Sequence, residues 1–385
     1  MGLAGRSALD KVLAVRGGAE LVALWAQVAS VIELVTAVAA AGVGTGLAVY
    51  VARTRRPERQ RDFLREALRI GLGLGAPLAA LVGAVSGLHA DALSGGRLGA
   101  GMFAFAALAA WLAIIPGLVN SYWLGQHLRE RMLAFALGVA PLAVAAAWLA
   151  PDGFVVPAVI VSQALPALAL ARVAISRAQA PRFRASSHPL RRYVLPGLSI
   201  GILGPAAMLL ARGQVGELLS WHEAGVLQAL WRLSDWVCAF AGGLLSLHYL
   251  PRFAAARGTG LLPAAMLHAA KELLIPSAIA FAALWMLHRP LLHLLYGPGF
   301  EAGDGAAALF FAGSLVRVAS WIPLFALYAM RRTLAITAGE VLSLPLFAAA
   351  VMLTGGHLTL ELAGWLWLGA YSAYAAFNAW AAARA

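Results

Sequence analysis

The sequence is poor in everything a soluble catalytic domain draws on. It holds one cysteine, Cys238, and two lysines, and only 12% of its 385 residues are Asp, Glu, Lys or Arg. A lone cysteine excludes an intrachain disulfide and any cysteine-based metal cluster. Soluble domains carry about 25% charged residues and about 45–50% apolar ones; here 62% are hydrophobic and the mean hydropathy is +0.80. That balance excludes soluble enzymes, nucleic-acid binders and disordered tails. Gly-x-x-x-x-Gly-Lys-Ser/Thr is missing, so no ATP-driven motor is encoded. His-Glu-x-x-His, Gly-x-Ser-x-Gly and a paired-aspartate motif of membrane glycosyl transfer are missing too, and no cofactor is implied. Loops stay below about 20 residues, too short for a catalytic loop or a nucleotide-binding domain. Arg6, Asp10, Lys11, Arg16 and Glu20 interrupt the first twenty residues, which therefore do not read as a cleavable signal peptide.

What is abundant is long apolar runs. Eleven candidate helices lie at 21–52, 67–90, 99–124, 132–150, 154–175, 194–212, 225–249, 267–288, 303–329, 333–354 and 359–381. The runs are continuous rather than alternating, which excludes a barrel, and a spanning helix needs about 20 residues. The expected fold class is an all-α polytopic membrane protein. Arginine in the loops gives the orientation. Arg53, Arg55, Arg56, Arg59, Arg61 and Arg65, then Arg129 and Arg131, then Arg177, Arg182, Arg184, Arg191 and Arg192 lie on one side. Arg252, Arg257, Arg331, Arg332 and Arg384 continue that side; the other holds Arg97 and Arg289 with Arg6, Lys11 and Arg16. By the positive-inside rule the first set is cytoplasmic, with the C-terminus. The net charge of +12 is mostly this topology signal rather than a nucleic-acid footprint.

A weak internal repeat refines the count. Tyr50-Val51-Ala52-Arg53 and Tyr249-Leu250-Pro251-Arg252 end two spans 199 positions apart, and each span carries an acid further in, Glu33 and Asp235. Carried back by that offset, the helix at 194–212 matches one that begins before residue 1 and ends near residue 13. The expectation is two pseudo-repeated lobes, nominally six helices each, with the first helix truncated. An N-terminal lobe covers 1–180 and a C-terminal lobe 181–385, dividing in the basic loop around 176–193.

Charges at membrane depth are the informative residues. Each costs at least about 2.5–3.5 kcal/mol against lipid and so belongs in an interior or an aqueous cavity. Glu33, Arg232, Asp235 and Arg317 fall near mid-bilayer. Lys271, Glu272 and Glu340 lie one to two turns inside the cytoplasmic edge, and Arg212 at the outer edge. Arg232 and Asp235 are spaced to meet on one helix face, and the bland reading is a self-neutralising pair. Arg317 has no acid three or four residues away, but Trp321 offers its ring face. Glu33 is alone in its helix and either pairs with an arginine or takes a proton. Lys271 with Glu272 reads first as an interfacial pair. The arginine fork makes two parallel charge-assisted bonds to phosphate, so a cavity lined by Arg232 and Arg317 favours an anion such as pyrophosphate. Pro116, Pro196, Pro205, Pro276 and Pro323 are breaks tolerated where helices line a cavity. Gly42-Val43-Gly44-Thr45-Gly46 reads as close helix packing rather than a phosphate loop.

These residues carry a resemblance. Trp221-His222-Glu223-Ala224-Gly225, Gln228, Leu233-Ser234-Asp235 and Ser246-Leu247-His248-Tyr249-Leu250-Pro251 resemble the O-antigen and lipid III (enterobacterial common antigen) flippases of the MATE-like MOP superfamily. Gly313-Ser314-Leu315-Val316-Arg317-Val318 is similar to that family's Gly-Asp-x-x-Lys-Val segment, and Leu334 to Val341 follows the pattern. Lys11 to Val15 and Leu47 to Ala52 are similar but less specific. The resemblance implies two six-helix lobes around a cationic cavity, and alternating access. It implies a flippase that carries an undecaprenyl-pyrophosphate-linked oligosaccharide from the cytoplasmic to the periplasmic leaflet of the bacterial inner membrane. Asp235, Arg317 and Glu340 match family charges, with arginine in place of lysine; Ser314 replaces an acid. Arg232 has no family counterpart and rests on depth alone.

The expected substrate-binding residues are thus Arg232, Arg317 and Lys271, and the coupling or cavity acids Glu33, Asp235 and Glu340. Expected partners are the lipid-linked glycan, the bilayer, and a downstream polysaccharide polymerase and chain-length regulator; nucleic acid is not one. Two other readings stay open. A MATE-like exporter of a small soluble compound would favour unpaired acids at depth. A membrane polymerase or lipid-dependent glycosyltransferase is disfavoured by the short loops and missing acid clusters.

Overall fold

The structure is a computed structural model that describes residues 3–37, 43–54, 56–176 and 188–384. Among these the regular elements are all helical, and seven helical stretches, Thr333–Leu353 counted as one, are long and apolar enough to cross a membrane. Each of the eleven apolar runs falls on helix where it is described. The loop stretch 177–187, with Arg177, Arg182 and Arg184, lies outside the described residues, as do Gly42 and Arg55. The chain divides into two compact units, one of Met1–Arg16 and Leu24–Leu209, the other of Gly17–Ala23 and Leu210–Ala385.

The chain opens with α1 (Leu3–Ala37), which is interrupted at Gly17 (φ −148°, ψ 19°) and Gly18 (φ 64°, ψ −159°). The second pair of angles is open in practice to glycine alone. An unbroken helix would hold Arg6 and Glu33 about 40 Å apart at about 1.5 Å per residue. Instead the chain turns back, and the two side chains form an ion pair at 3.4 Å. Arg16, at the turn, donates to the carbonyls of Ala147, Trp148 and Ala150 at 3.2, 2.7 and 2.8 Å. A cation at a helix C-terminus satisfies orphan carbonyls and opposes the negative end of the macrodipole.

α2 (Gly44–Arg53), α3 (Pro57–Leu88), the single turn α4 (Ala90–Ser94), α5 (Ala100–Gly125), α6 (Arg129–Leu149) and α7 (Val155–Ser176) follow. α3 begins ten residues before its apolar run because Pro57 at its start suits the first helical turn. Hydropathy cannot see the charged turns that come next. Its buried stripe is Ala67, Gly71, Gly75, Ala79, Gly83 and Ser86, small residues every three or four positions. A β-carbon at Gly71 or Gly75 would run into Leu118 or Ile114 of α5, so the two helices lie in close contact. Gln27, fully buried, donates to the carbonyls of Leu93 and Leu209 and so leaves no amide hydrogen-bond donor stranded.

The second unit takes the end of α8 (His188–Leu218), then α9 (Trp221–Leu244), a π turn at Leu245–Tyr249, α10 (Leu250–Ala256), α11 (Leu262–Tyr296), α12 (Asp304–Met330), α13 (Thr333–Val341), α14 (Leu344–Leu353) and α15 (Leu360–Ala383). Ser220 accepts from the Glu223 amide at the start of α9, and Thr359 from that of Leu362 at α15, both at 3.0 Å. These are side-chain N-caps that fix where the helices begin. The core is aromatic: Trp231 lies 5.5 Å from Trp367, 5.9 Å from Phe347 and 6.3 Å from Phe310, centroid to centroid. Gly313 and Gly364 let α12 and α15 approach, since a β-carbon would strike Trp367 at one and Leu309 at the other. The apolar run at 333–354 is two helices, α13 and α14, because Ser343 adopts φ −95°, ψ −115°, outside helical space. The run at 225–249 continues through the π turn as far as Ala256.

Candidate functional site

Of the charges expected at depth, Arg232, Asp235, Arg317 and Glu340 lie on α9, α12 and α13 of the second unit, and α15 packs two tyrosines among them. Asp235 of α9 accepts from Arg317 of α12, Nη1 to Oδ1 3.3 Å, and its other oxygen lies 4.0 Å from Arg232 Nη1 one turn back. Within its own helix Arg317 has no acid three or four residues away. Its acid comes from α9, 82 residues earlier in the chain. The anticipated ring contact holds as well: the Arg317 guanidinium lies 5.2 Å from the Trp321 ring, and 5.8 Å from that of Tyr371 on α15.

The three charged groups carry one net positive charge. Arg317 and Arg232 keep 21% and 11% of their side-chain surface open and Asp235 36%, so the cluster is lined by protein yet reachable. A guanidinium fork presents five donors, and Arg317 gives Nη1 to Asp235, which leaves donor capacity on that fork for an anion. Ring faces on Arg317 hold the cation while leaving its in-plane donors available.

A line of contacts runs from this cluster to Glu340. Arg317 lies over Tyr371; the Tyr371 and Tyr374 rings are 6.2 Å apart; the Tyr374 hydroxyl donates to Glu340 Oε1 at 2.8 Å. Glu340 sits in the last turn of α13, beside the break at Ser343, whose hydroxyl donates to the Glu340 carbonyl at 2.6 Å. Among the described residues no Arg, Lys or His nitrogen lies within 4 Å of the Glu340 carboxylate. Irregular backbone beside a buried carboxylate is tolerated in a membrane protein where the segment lies against protein or lines a cavity. Arg212, expected at the outer edge, is buried at the end of α8 with its guanidinium 5.9 Å from the Trp231 ring.

The remaining expected residues lie elsewhere. Lys271 is exposed on α11 and makes no ion pair among the described residues. Its neighbour Glu272 instead accepts from the Tyr249 hydroxyl and faces His268 Nε2 at 2.9 Å. Glu33 belongs to the first unit, where Arg6 is its partner. Tyr371 and Tyr374 were not singled out in the sequence. Their signal was present: Tyr371, Tyr374 and Asn378 recur at helical spacing on one buried face of an otherwise apolar helix.

No protein-family model and no curated protein matches this chain. Solved structures do. An inward-facing multidrug resistance MATE family transporter of the MOP superfamily superposes with a TM-score of 0.74, at 14% identity, over 97% of this chain and 91% of that one. An outward-facing MATE transporter of the same superfamily gives 0.64 at 15% identity, over 98% and 91%. A MOP superfamily transporter from Pyrococcus furiosus, described as having a binding pocket of reverse polarity that suggests a different function, gives 0.66 at 15% identity, over 97% and 89%. The chain therefore has the all-helical fold of the MATE transporters of the MOP superfamily.

Proposed function

We propose that this chain is a transporter that works by alternating access, and that its cargo is an anionic lipid-linked oligosaccharide. The cargo of this reading is an undecaprenyl-pyrophosphate-linked repeat unit, moved from the cytoplasmic to the periplasmic leaflet of the inner membrane. The observation that carries the reading is the pair of guanidinium groups, Arg232 and Arg317, on the single carboxylate of Asp235. Moving a pyrophosphate through hydrocarbon requires replacing its hydration with fixed donors, and arginine forks do this with directed bonds. A pocket for cationic drugs calls for the opposite sign. That a neighbour of the same fold is described by its reversed pocket polarity supports a family in which polarity, not fold, sets the cargo.

In this mechanism the pyrophosphate exchanges with Asp235 for the Arg317 and Arg232 donors, and Glu340 is the candidate to carry a proton or answer the incoming charge. An inside-negative potential favours outward movement of an anion by about 2.3 kcal/mol per charge per 100 mV. The glycan would then pass to a polymerase and chain-length regulator in the periplasmic leaflet.

The test is the lipid-linked glycan pool of cells lacking the gene, measured by mass spectrometry with leaflet location read by a periplasmic enzyme. Accumulation on the cytoplasmic leaflet, cleared by the wild-type chain and not by R317A, supports the reading. An unchanged pool and distribution, in a strain with no second flippase, removes it. The second reading, a MATE-like exporter of a small soluble compound, then takes its place, favoured by the multidrug resistance neighbours and by the Glu340 carboxylate, which among the described residues has no cationic nitrogen within 4 Å.

A further inference from the structure

The first unit holds a cavity of about 350 Å³, between the start of α3, the end of α5, the start of α6 and the end of α7. Arg61 and Arg65 stand one turn apart on α3, beside Leu64 and Leu68, so that face presents a guanidinium row next to a leucine row. Arg131 of α6 joins them, with Tyr122, Trp123 and Gln126 of α5 as the polar and aromatic wall. Val119 and Leu170 line the rest with aliphatic surface.

The polar wall is fixed before anything binds. Gln60 Nε2 donates to the carbonyls of Val51 and Thr54 at 3.2 and 2.6 Å. Gln126 Nε2 donates both to Gln60 Oε1, at 2.9 Å, and to the Tyr122 hydroxyl oxygen, at 3.0 Å. Both hydrogens of that amide are used, and because Tyr122 accepts there, its own O–H remains a donor. Charge is unbalanced around it. Arg65 is held by Asp62 at 3.1 Å, whereas Arg61 and Arg131, both in electrostatic reach of Tyr122, have no carboxylate within 4 Å among the described residues.

We propose that this cavity binds the phosphate of a lipid headgroup, with Arg61, Arg131 and the Tyr122 hydroxyl on the phosphate oxygens and the first methylenes against Leu64, Leu68, Val119 and Leu170. Two uncompensated forks and a phenol donor suit a phosphate or pyrophosphate, whose oxygens accept several charge-assisted bonds at once. The apolar half of the lining separates a lipid-borne phosphate from a free one, which would leave those leucines facing water. Arg61 and Arg131 stand near the starts of α3 and α6, at the ends whose arginine excess reads as cytoplasmic by the positive-inside rule, where basic pockets between spanning helices meet anionic headgroups. This site does not depend on the identity of the cargo.

The test is binding rather than transport. The full chain, in nanodiscs of neutral phosphatidylcholine, is titrated with phosphatidylglycerol, with undecaprenyl pyrophosphate free of glycan, and with inorganic pyrophosphate, and bound copies are counted by native mass spectrometry. In R61Q/R131Q the affinity for at least one of the two lipids falls about tenfold with loss of one bound copy, while R257Q keeps wild-type binding. Whichever lipid shows the loss identifies the source, bulk phospholipid or prenyl carrier. The lysine pair R61K/R131K, which keeps charge without the fork, recovers part of the affinity. Wild-type lipid affinity in R61Q/R131Q overturns the proposal, and so does tighter binding of inorganic pyrophosphate than of either lipid.

Discussion

Arg317 of α12 donates to Asp235 of α9 across 3.3 Å, and this one bond ties two helices at the point where the second unit carries its buried charge. In the proposed cycle the bond must open for cargo to enter, which makes the two partners opposite in effect. R317A removes a charge-assisted fork worth about 1.5–3 kcal/mol, so transport falls roughly 10- to 100-fold. R317K, which keeps the charge on a single ammonium, falls less. Initial rates in proteoliposomes with a fluorescent lipid-linked glycan read both.

Asp235 is the group that cargo displaces. D235N leaves Arg232 and Arg317 without their shared carboxylate, so a pyrophosphate-bearing lipid binds several-fold more tightly and leaves more slowly. The expected result is a lower Kd together with a lower turnover. Equal weakening of both would remove Asp235 from the binding cluster.

Glu340 and Tyr374 form a buried hydrogen-bonded pair at 2.8 Å, beside the break that separates α13 from α14. In E340Q the tyrosine still donates to the amide oxygen, so melting changes little. In Y374F the carboxylate loses its donor, and a bond to a charged group is worth about 1.5–3 kcal/mol. If Glu340 exchanges a proton during transport, E340Q flattens the pH dependence of the rate while Y374F shifts it. A double-mutant cycle on stability measures the pair itself.

Much of this arrangement is legible in the sequence and some of it is not, for reasons of range. Trp321 under Arg317 and Asp235 near Arg232 are local on a helix, and their spacing alone places them together. The bond from Arg317 to Asp235 joins residues 82 positions apart, and no periodicity reports which faces of two helices meet. The same limit hid Arg6 as the partner of Glu33, which depends on the turn at Gly17-Gly18. Helix existence followed from hydropathy, but the charged start of α3 at Pro57 and the break at Ser343 did not. A window average registers neither a polar first turn nor one non-helical residue. Tyr371 and Tyr374 carry no charge, so the cost of a charge at membrane depth does not mark them.

Gly313 and Gly369 give a matched comparison across α12 and α15. A β-carbon at Gly313 strikes the Trp367 ring, whereas nothing lies within 4 Å of one built at Gly369. G313A forces the aromatic core apart, and overpacking of this kind costs about 1–3 kcal/mol. G369A removes backbone freedom from a helix interior and stabilises by about 0.5–1 kcal/mol. Thermal melting in detergent should move the two variants in opposite directions.

Arg16 tests how the turn in α1 is held. Its guanidinium donates to three carbonyls at the end of α6 and reaches Asp152 at 2.6 Å, but Asp152 is 97% exposed. An ion pair so open to solvent contributes little, about 0–1 kcal/mol. The carbonyl bonds are of another kind, because they satisfy backbone groups at a helix end that otherwise depend on solvent. D152A should therefore leave the melting temperature almost unchanged, and R16A should lower stability by about 1–2 kcal/mol. R16K, with one ammonium in place of a fork, should fall between them. Equal losses from D152A and R16A would instead assign the contribution to the ion pair, and the carbonyl bonds would no longer explain why an arginine stands at this turn.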